Sequence, residues 1–176
     1  MKVLVTAASK HGATSEIATV IGDVLESQGL DVEVLPPDEV GRIDGYDAVV
    51  LGSGVYAGHW LKPAKEFAQR HGPELRARRV FLFSSGPVGE PPQESDVPLD
   101  IAGVRAATGA VDHRVFSGRI TASQLGPFEK LVVRVVKAPL ADDRPWDDIV
   151  DWAKQITSSL HDEPRRAAPT APVAVT

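Results

Sequence analysis

Cysteine is absent from the 176 residues. That excludes a disulfide, a thiolate metal site and a cysteine nucleophile, and it accords with a reducing cytoplasm. No apolar run reaches the roughly 18 residues a membrane-spanning helix requires. The opening stretch MKVLVTAASK is too short in apolar residues to be expected as a signal peptide. A basic excess is missing as well: 19 Lys+Arg stand against 24 Asp+Glu, a net charge of −5. A dedicated nucleic-acid binder is therefore not expected. Internal repeats are also lacking. What remains is ordinary globular composition, 43% hydrophobic and 24% charged. A chain of this size buries roughly 70% of its unfolded surface within a single domain.

Strand-like and helix-like patterns alternate along the chain. Val3-Leu4-Val5 is a wholly apolar, largely β-branched run, as expected of a strand buried on both faces. Ile17, Val20, Ile21, Val24 and Leu25 recur at helical spacing, and Gly29 stands where that helix would stop. A second strand is expected over Val32 to Leu35, ended by Pro36-Pro37. Ala48 to Leu51 and Val80 to Phe83 read as the third and fourth strands. Between them Pro63 suits the first turn of a helix that turns Phe67 and Ala68 inward. A short helix is expected near Pro98 to Ala107, and a partly exposed edge strand over Val111 to Phe116. A helix over residues 125–137 and a last one from Pro145 follow; the last carries Trp146, Ile149, Trp152, Ala153 and Ile156 on one face. The domain is expected to span residues 1–160, with a disordered Pro/Ala-rich tail over 161–176. Continuous apolar strands alternating with helices predict an α/β parallel sheet with helices on both faces. Ligands bind such sheets at the carboxyl ends of the strands, beside the point where strand order reverses.

Three loops at that edge are the candidates. The first holds Ser9, Lys10, His11, Gly12, Ala13 and Thr14 between a strand and a helix. Helix N-terminal N–H groups and hydroxyls around a glycine suit a phosphate. The same residues also serve as plain caps and turns. No GKS or GKT follows a glycine at Walker spacing, and the GxGxxG fingerprint is absent. The second loop, Gly52 to Trp60, mixes three glycines with Tyr56, His59 and Trp60, which suits a flat aromatic ring or simply covers the sheet end. The third, Ser84, Ser85, Gly86, Pro87, Val88 and Gly89, offers more backbone N–H groups.

Ser9-x-x-Gly12-x-Thr14 opening a helix with Glu16 and Ile17 resembles the flavodoxin-like proteins that bind FMN. So does Val49-Val50-Leu51-Gly52 followed by Tyr56-x-Gly58-His59 and a helix with Glu66, Phe67 and His71. Phe128, Lys130, Leu131, Lys137 and the Trp146 to Trp152 helix resemble the menaquinone-linked protoporphyrinogen oxidase branch of that family. The resemblance implies a flavodoxin-like three-layer sandwich with five parallel strands in the order 2-1-3-4-5. It places the FMN phosphate on Ser9, Lys10, His11, Gly12, Ala13 and Thr14. The flavin ring would lie against Ser53, Gly54, Val55 and Tyr56 and against Ser84, Ser85, Gly86, Pro87, Val88 and Gly89. Lys10, His11 and Ala13 depart from the hydroxyl-rich loop of the electron carriers, and the fourth-strand loop lacks their stacking Tyr. The cage is thus thinner and the ring face more open.

The resemblance implies an FMN-dependent oxidoreductase in the cytoplasm that passes electrons to a quinone. His59 and Lys10 would be helpers at the mouth, and a small-molecule substrate would have room above the ring. The alternatives are a soluble electron carrier for a redox protein partner and a flavin-free binding module. Lys130, Arg134 and Lys137 share one face of the segment 125–137. That segment is therefore either an interfacial helix in peripheral contact with a membrane or one that packs on its own domain.

Overall fold

The computed structural model describes residues 1–86, 97–117 and 144–162. Five parallel strands form its centre: β1 (Lys2–Ala8), β2 (Asp31–Leu35), β3 (Ala48–Tyr56), β5 (Arg79–Ser85) and β6 (Asp112–Phe116). Their spatial order is β2-β1-β3-β5-β6, and a two-residue strand, β4 (His59–Trp60), pairs antiparallel with the end of β3. Setting β4 aside, this is the expected 2-1-3-4-5 order. The helices are α1 (Ala13–Ser27), α2 (Lys62–Arg70), α3 (Gly72–Arg76), α4 (Ile101–Thr108) and α5 (Trp146–Asp162). Helix α5 continues through His161 and Asp162; residues 163–176 and 118–143, including the segment 125–137, lie outside the described residues.

The central strands β1, β3 and β5 are largely apolar because both faces are covered, whereas the edge strands β2 and β6 carry Asp31, Glu33, Asp112, His113 and Arg114. Val3, Val5, Ala7, Val50, Phe81 and Phe83 face α1 and α5, where Ile17, Ile21, Trp152 and Ile156 meet them. Leu4, Val49, Leu51, Val80 and Leu82 face the other way, onto Phe67 of α2, Leu75 of α3 and Val104 of α4. Each fully buried side chain of this size contributes about 1.5–3 kcal/mol. These two cores hold the strand ends, and so the site, in place. Helix α1 stops as expected: Gly29 takes φ 85°, a conformation that suits glycine.

Several strands run past their expected ends, β1 as far as Ala8. Gly52 to Tyr56 belongs to β3 and not to a loop, and Ser84-Ser85 belongs to β5. Glycine and serine read as strand breakers, yet here the sheet needs small residues. A Cβ on Gly52 would lie 2.1 Å from the ring of Phe83, so that ring fills the space a side chain would take. Within Gly52 to Trp60, only the two-residue turn Ala57-Gly58 lies outside a strand. Both residues have positive φ, 50° and 78°, as a tight hairpin turn requires. Helix α3, which the periodicity did not suggest, is a short turn opened by Pro73 and anchored by the buried Leu75.

Candidate functional site

Strand order reverses between β1 and β3, since β1 sends α1 to β2 on one side and pairs with β3 on the other. The ends of the three central strands line up there. Ala8 pairs with Ser53, Ser53 with Ser84, and Gly54 with Ser85. All three candidate segments therefore reach one sheet edge.

Helix α1 starts at this edge without a side-chain cap. Its N-cap residue, Gly12, takes φ 85°, and no side chain hydrogen-bonds the first turn as a cap. Its carbonyl accepts the Glu16 N–H at 3.0 Å, closing the first helical turn. The N–H groups and the positive end of the helix dipole are thus presented without a capping side chain. A Cβ on Gly12 would meet no atom within 4 Å, so open space lies in front of this backbone. Ser9 and His11 are half-buried, Lys10 is exposed, and Ala13 and Thr14 are buried in the first turn. Thr14 Oγ1 lies 3.1 Å from where a Cβ on Gly54 would be. That close approach of α1 to β3 is why a glycine stands at 54. An uncapped helix start with a left-handed glycine and a hydroxyl beside it fits a phosphate monoester such as that of FMN.

Tyr56 at the end of β3 is 51% exposed. Lys10 reaches across from the first loop and holds its Nζ 4.3 Å from the Tyr56 ring centre. Val55 lies against Gly86: a Cβ there would stand 3.5 Å from the Val55 carbonyl oxygen. Gly86 has φ 124°, accessible to glycine, and its N–H donates to the Phe116 carbonyl at 2.9 Å. Ser85 is buried beside it. Pro87, Val88 and Gly89 lie outside the described residues. Among the described residues this end therefore offers one exposed aromatic wall, Tyr56, and backbone from Val55 and Gly86.

Ser53 and Ser84 are turned inward and already engaged. Ser53 Oγ accepts the Leu61 N–H at 2.9 Å and donates to the Gly54 carbonyl, pinning the hairpin to the start of α2. Ser84 Oγ accepts the Trp60 indole N–H and meets His113 Nε2, both at 2.8 Å. His59 is about half exposed, with Nδ1 3.5 Å from Asp100 Oδ2. Asp100 also pairs with Lys65 at 2.9 Å and accepts the Trp60 backbone N–H at 3.2 Å. It therefore does not cap α4 with its side chain.

Two residues near this edge were not singled out from the sequence. His113 was visible only as a polar residue in an edge strand. Arg144, just before the last helix, carried no signal at all. Its side chain is only 2% exposed, with Nη1 2.6 Å from Glu16 Oε2 on the first turn of α1.

Burial, reinforced by the Arg105 charge, pushes the His113 pKa from the usual 6.5 down to about 4. The ring is therefore neutral near pH 7. With Nε2 as acceptor, hydrogen bonds run in one direction, from Trp60 N–H through Ser84 O–H to His113. The unfolded chain binds a proton more readily than the folded one between pH 6.5 and 4, so stability falls as pH drops through that window. Denaturant unfolding across pH 4–7 is expected to show this fall, and His113→Gln is expected to flatten it. A variant with the unchanged pH profile would mean that another group causes the loss.

The comparisons with known proteins agree with this geometry. A family model described as a flavodoxin domain matches residues 4–145, which include both the first loop and the β3 hairpin. The protoporphyrinogen IX dehydrogenase [quinone] of Escherichia coli K12 is 28% identical over 99 residues, 53% of each chain. The chain thus spans about half the length of the curated relatives it matches. A flavodoxin from the domain Archaea superposes with TM-score 0.60 at 20% identity, over 92% of this chain and 99% of that one. The rubredoxin oxygen:oxidoreductase of Desulfovibrio gigas gives TM-score 0.60 at 15% identity, over 95% of this chain and 37% of that one. The reversal of strand order at β1 and β3, the uncapped start of α1 and a family match over most of the chain have one reading in common: the chain belongs to the flavodoxin domain family, whose cofactor is FMN.

Proposed function

We propose that this chain is an FMN-dependent oxidoreductase that passes electrons to a quinone, with a protoporphyrinogen-like reductant as the substrate class. The observation that carries the reading is the contact of Lys10 with Tyr56. It brings the phosphate loop and the aromatic wall to one point at the reversal of strand order. FMN supplies the electron and hydride chemistry when bound, and the protein supplies position and charge. In this reading Gly12, Ala13 and Thr14 bind the phosphate with backbone N–H groups, and Ser9 and His11 close the loop around it. Tyr56 would orient the ring, and Val55 and Gly86 would offer it backbone groups. Lys10 keeps a positive charge at the ring edge, and His59 can take or give a proton at the mouth.

Two features support an acceptor of apolar character. Leu99 is 77% exposed and lies over the hairpin, with Cδ1 3.6 Å from where a Cβ on Gly58 would be. The Escherichia coli relative is named for a quinone. Among the described residues no helix is long and apolar enough to cross a membrane. Peripheral membrane contact through residues 125–137 rests on their sequence alone.

The test is an anaerobic redox titration of the FMN-loaded protein, then addition of a water-soluble naphthoquinone. A single two-electron wave and complete reoxidation by the quinone within seconds are expected. Two well-separated one-electron waves with sluggish reoxidation would instead make the chain an electron carrier. Failure to bind FMN at high micromolar concentration would leave the flavin-free module.

A further inference from the structure

Arg144 is a fully buried charge with an unusual address. It comes from the segment entering α5, yet it sits on the first turn of α1, 128 residues earlier in the chain. Nη1 donates to Glu16 Oε2 at 2.6 Å and to the Ala13 carbonyl at 3.4 Å. The guanidinium also lies 4.3 Å from the Trp146 ring centre. The carboxylate in contact with the Arg144 guanidinium is that of Glu16.

Glu16 is the only acidic residue in the first turn of α1. A carboxylate there is normally favoured by the helix dipole. At a phosphate-binding terminus, however, it competes with the ligand for the same positive end, and it repels a dianion one turn away. The Arg144 guanidinium removes that repulsion.

We infer that Arg144 is a positioning residue for the FMN phosphate: by neutralising Glu16 on the first turn of α1, it leaves that terminus free to accept an anion. The inference rests on the phosphate reading of the first loop. It makes the charge of Glu16 the quantity that Arg144 controls, so the two residues are coupled in phosphate binding and uncoupled in ring binding.

FMN and riboflavin, which lacks the phosphate, separate these effects. Arg144→Gln is expected to weaken FMN binding about tenfold and to leave riboflavin within twofold. Glu16→Gln/Arg144→Gln is expected to recover most of the loss, because the repelling charge is gone. Glu16→Gln alone replaces a half-exposed side chain and keeps an amide oxygen that can accept from the buried Arg144 guanidinium. It is expected to fold and to bind FMN a few-fold tighter. Parallel losses for FMN and riboflavin in Arg144→Gln would make Arg144 a packing residue and overturn the inference. So would unchanged FMN affinity in Glu16→Gln. A wild-type protein that binds FMN no better than riboflavin would overturn the phosphate reading itself. Wild-type preference for FMN that survives Arg144→Gln would overturn only the role of Arg144.

Discussion

Gly12→Val is expected to lower FMN affinity at least about a hundredfold while the protein remains folded; a hundredfold is about 2.7 kcal/mol. The structure separates the two consequences of the substitution. Gly12 takes φ 85°, so any L side chain there is strained, at about 1–2 kcal/mol and more for a β-branched one. A domain holding the usual 5–15 kcal/mol survives that. Nothing inside the protein resists the new side chain, since a Cβ would meet no atom within 4 Å. Valine therefore projects into the open space in front of the α1 terminus. That is the space a phosphate must enter to reach the backbone N–H groups. Hydrogen bonds to a charged partner are worth about 1.5–3 kcal/mol each, so losing one or two yields the expected drop. Gly12→Asn supplies the control. Asparagine tolerates a left-handed backbone, so stability is expected to recover, but its side chain still blocks the approach. FMN fluorescence titration with a thermal melt on each variant reads both quantities. Unchanged affinity in a folded Gly12→Val would exclude a phosphate at this helix start.

The elements most legible in the sequence are those whose periodicity reports burial. β1 and α1 were legible because Val3 to Val5 is buried on both sides and Ile17, Ile21 and Leu25 repeat at helical spacing onto one core. α5 was legible for the same reason, through Ile149, Trp152 and Ile156. The order of the strands came from resemblance to a family, since periodicity carries no information about neighbours. Composition misled where tertiary packing overrides local preference. Gly52 and Gly54 read as loop residues, yet one makes room for a ring and the other for a threonine hydroxyl. The first loop was legible as a phosphate candidate from its glycine and its place between strand and helix. Its contact with Tyr56 was not, because Lys10 and Tyr56 meet only through the pairing of β1 with β3. The internal engagement of Ser53 and Ser84 was equally hidden. A hydroxyl at a strand end looks the same in sequence whether it faces a ligand or a tryptophan.

Gly52→Ala is expected to have the largest effect on stability, about 3 kcal/mol, at the upper end of ordinary overpacking costs. For a chain of this length that corresponds to a fall in Tm of roughly 6–12 °C. A single methyl is enough because its place is taken. The added Cβ would lie 2.1, 2.2 and 2.6 Å from three atoms of the Phe83 ring. Phe83 is fully buried and cannot swing aside, since Phe116 stands 6.3 Å and Trp152 6.2 Å from its ring centre. The strain must therefore move β3 against β5 or push the aromatic cluster toward α5. Phe83→Leu, with a smaller side chain, is expected to destabilise on its own by leaving a cavity. In the double variant the methyl would occupy part of that cavity, so the two losses are expected to sum to less than their separate values. Denaturant unfolding of the four proteins measures that coupling. Additive losses would mean that the ring is not what requires a glycine at 52. The same series bears on the site, because β3 carries Gly54, Val55 and Tyr56 beyond Gly52. Displacement of β3 would separate Gly54 from Thr14 and Tyr56 from Lys10. FMN affinity is therefore expected to fall in Gly52→Ala and to return in the double variant along with the stability.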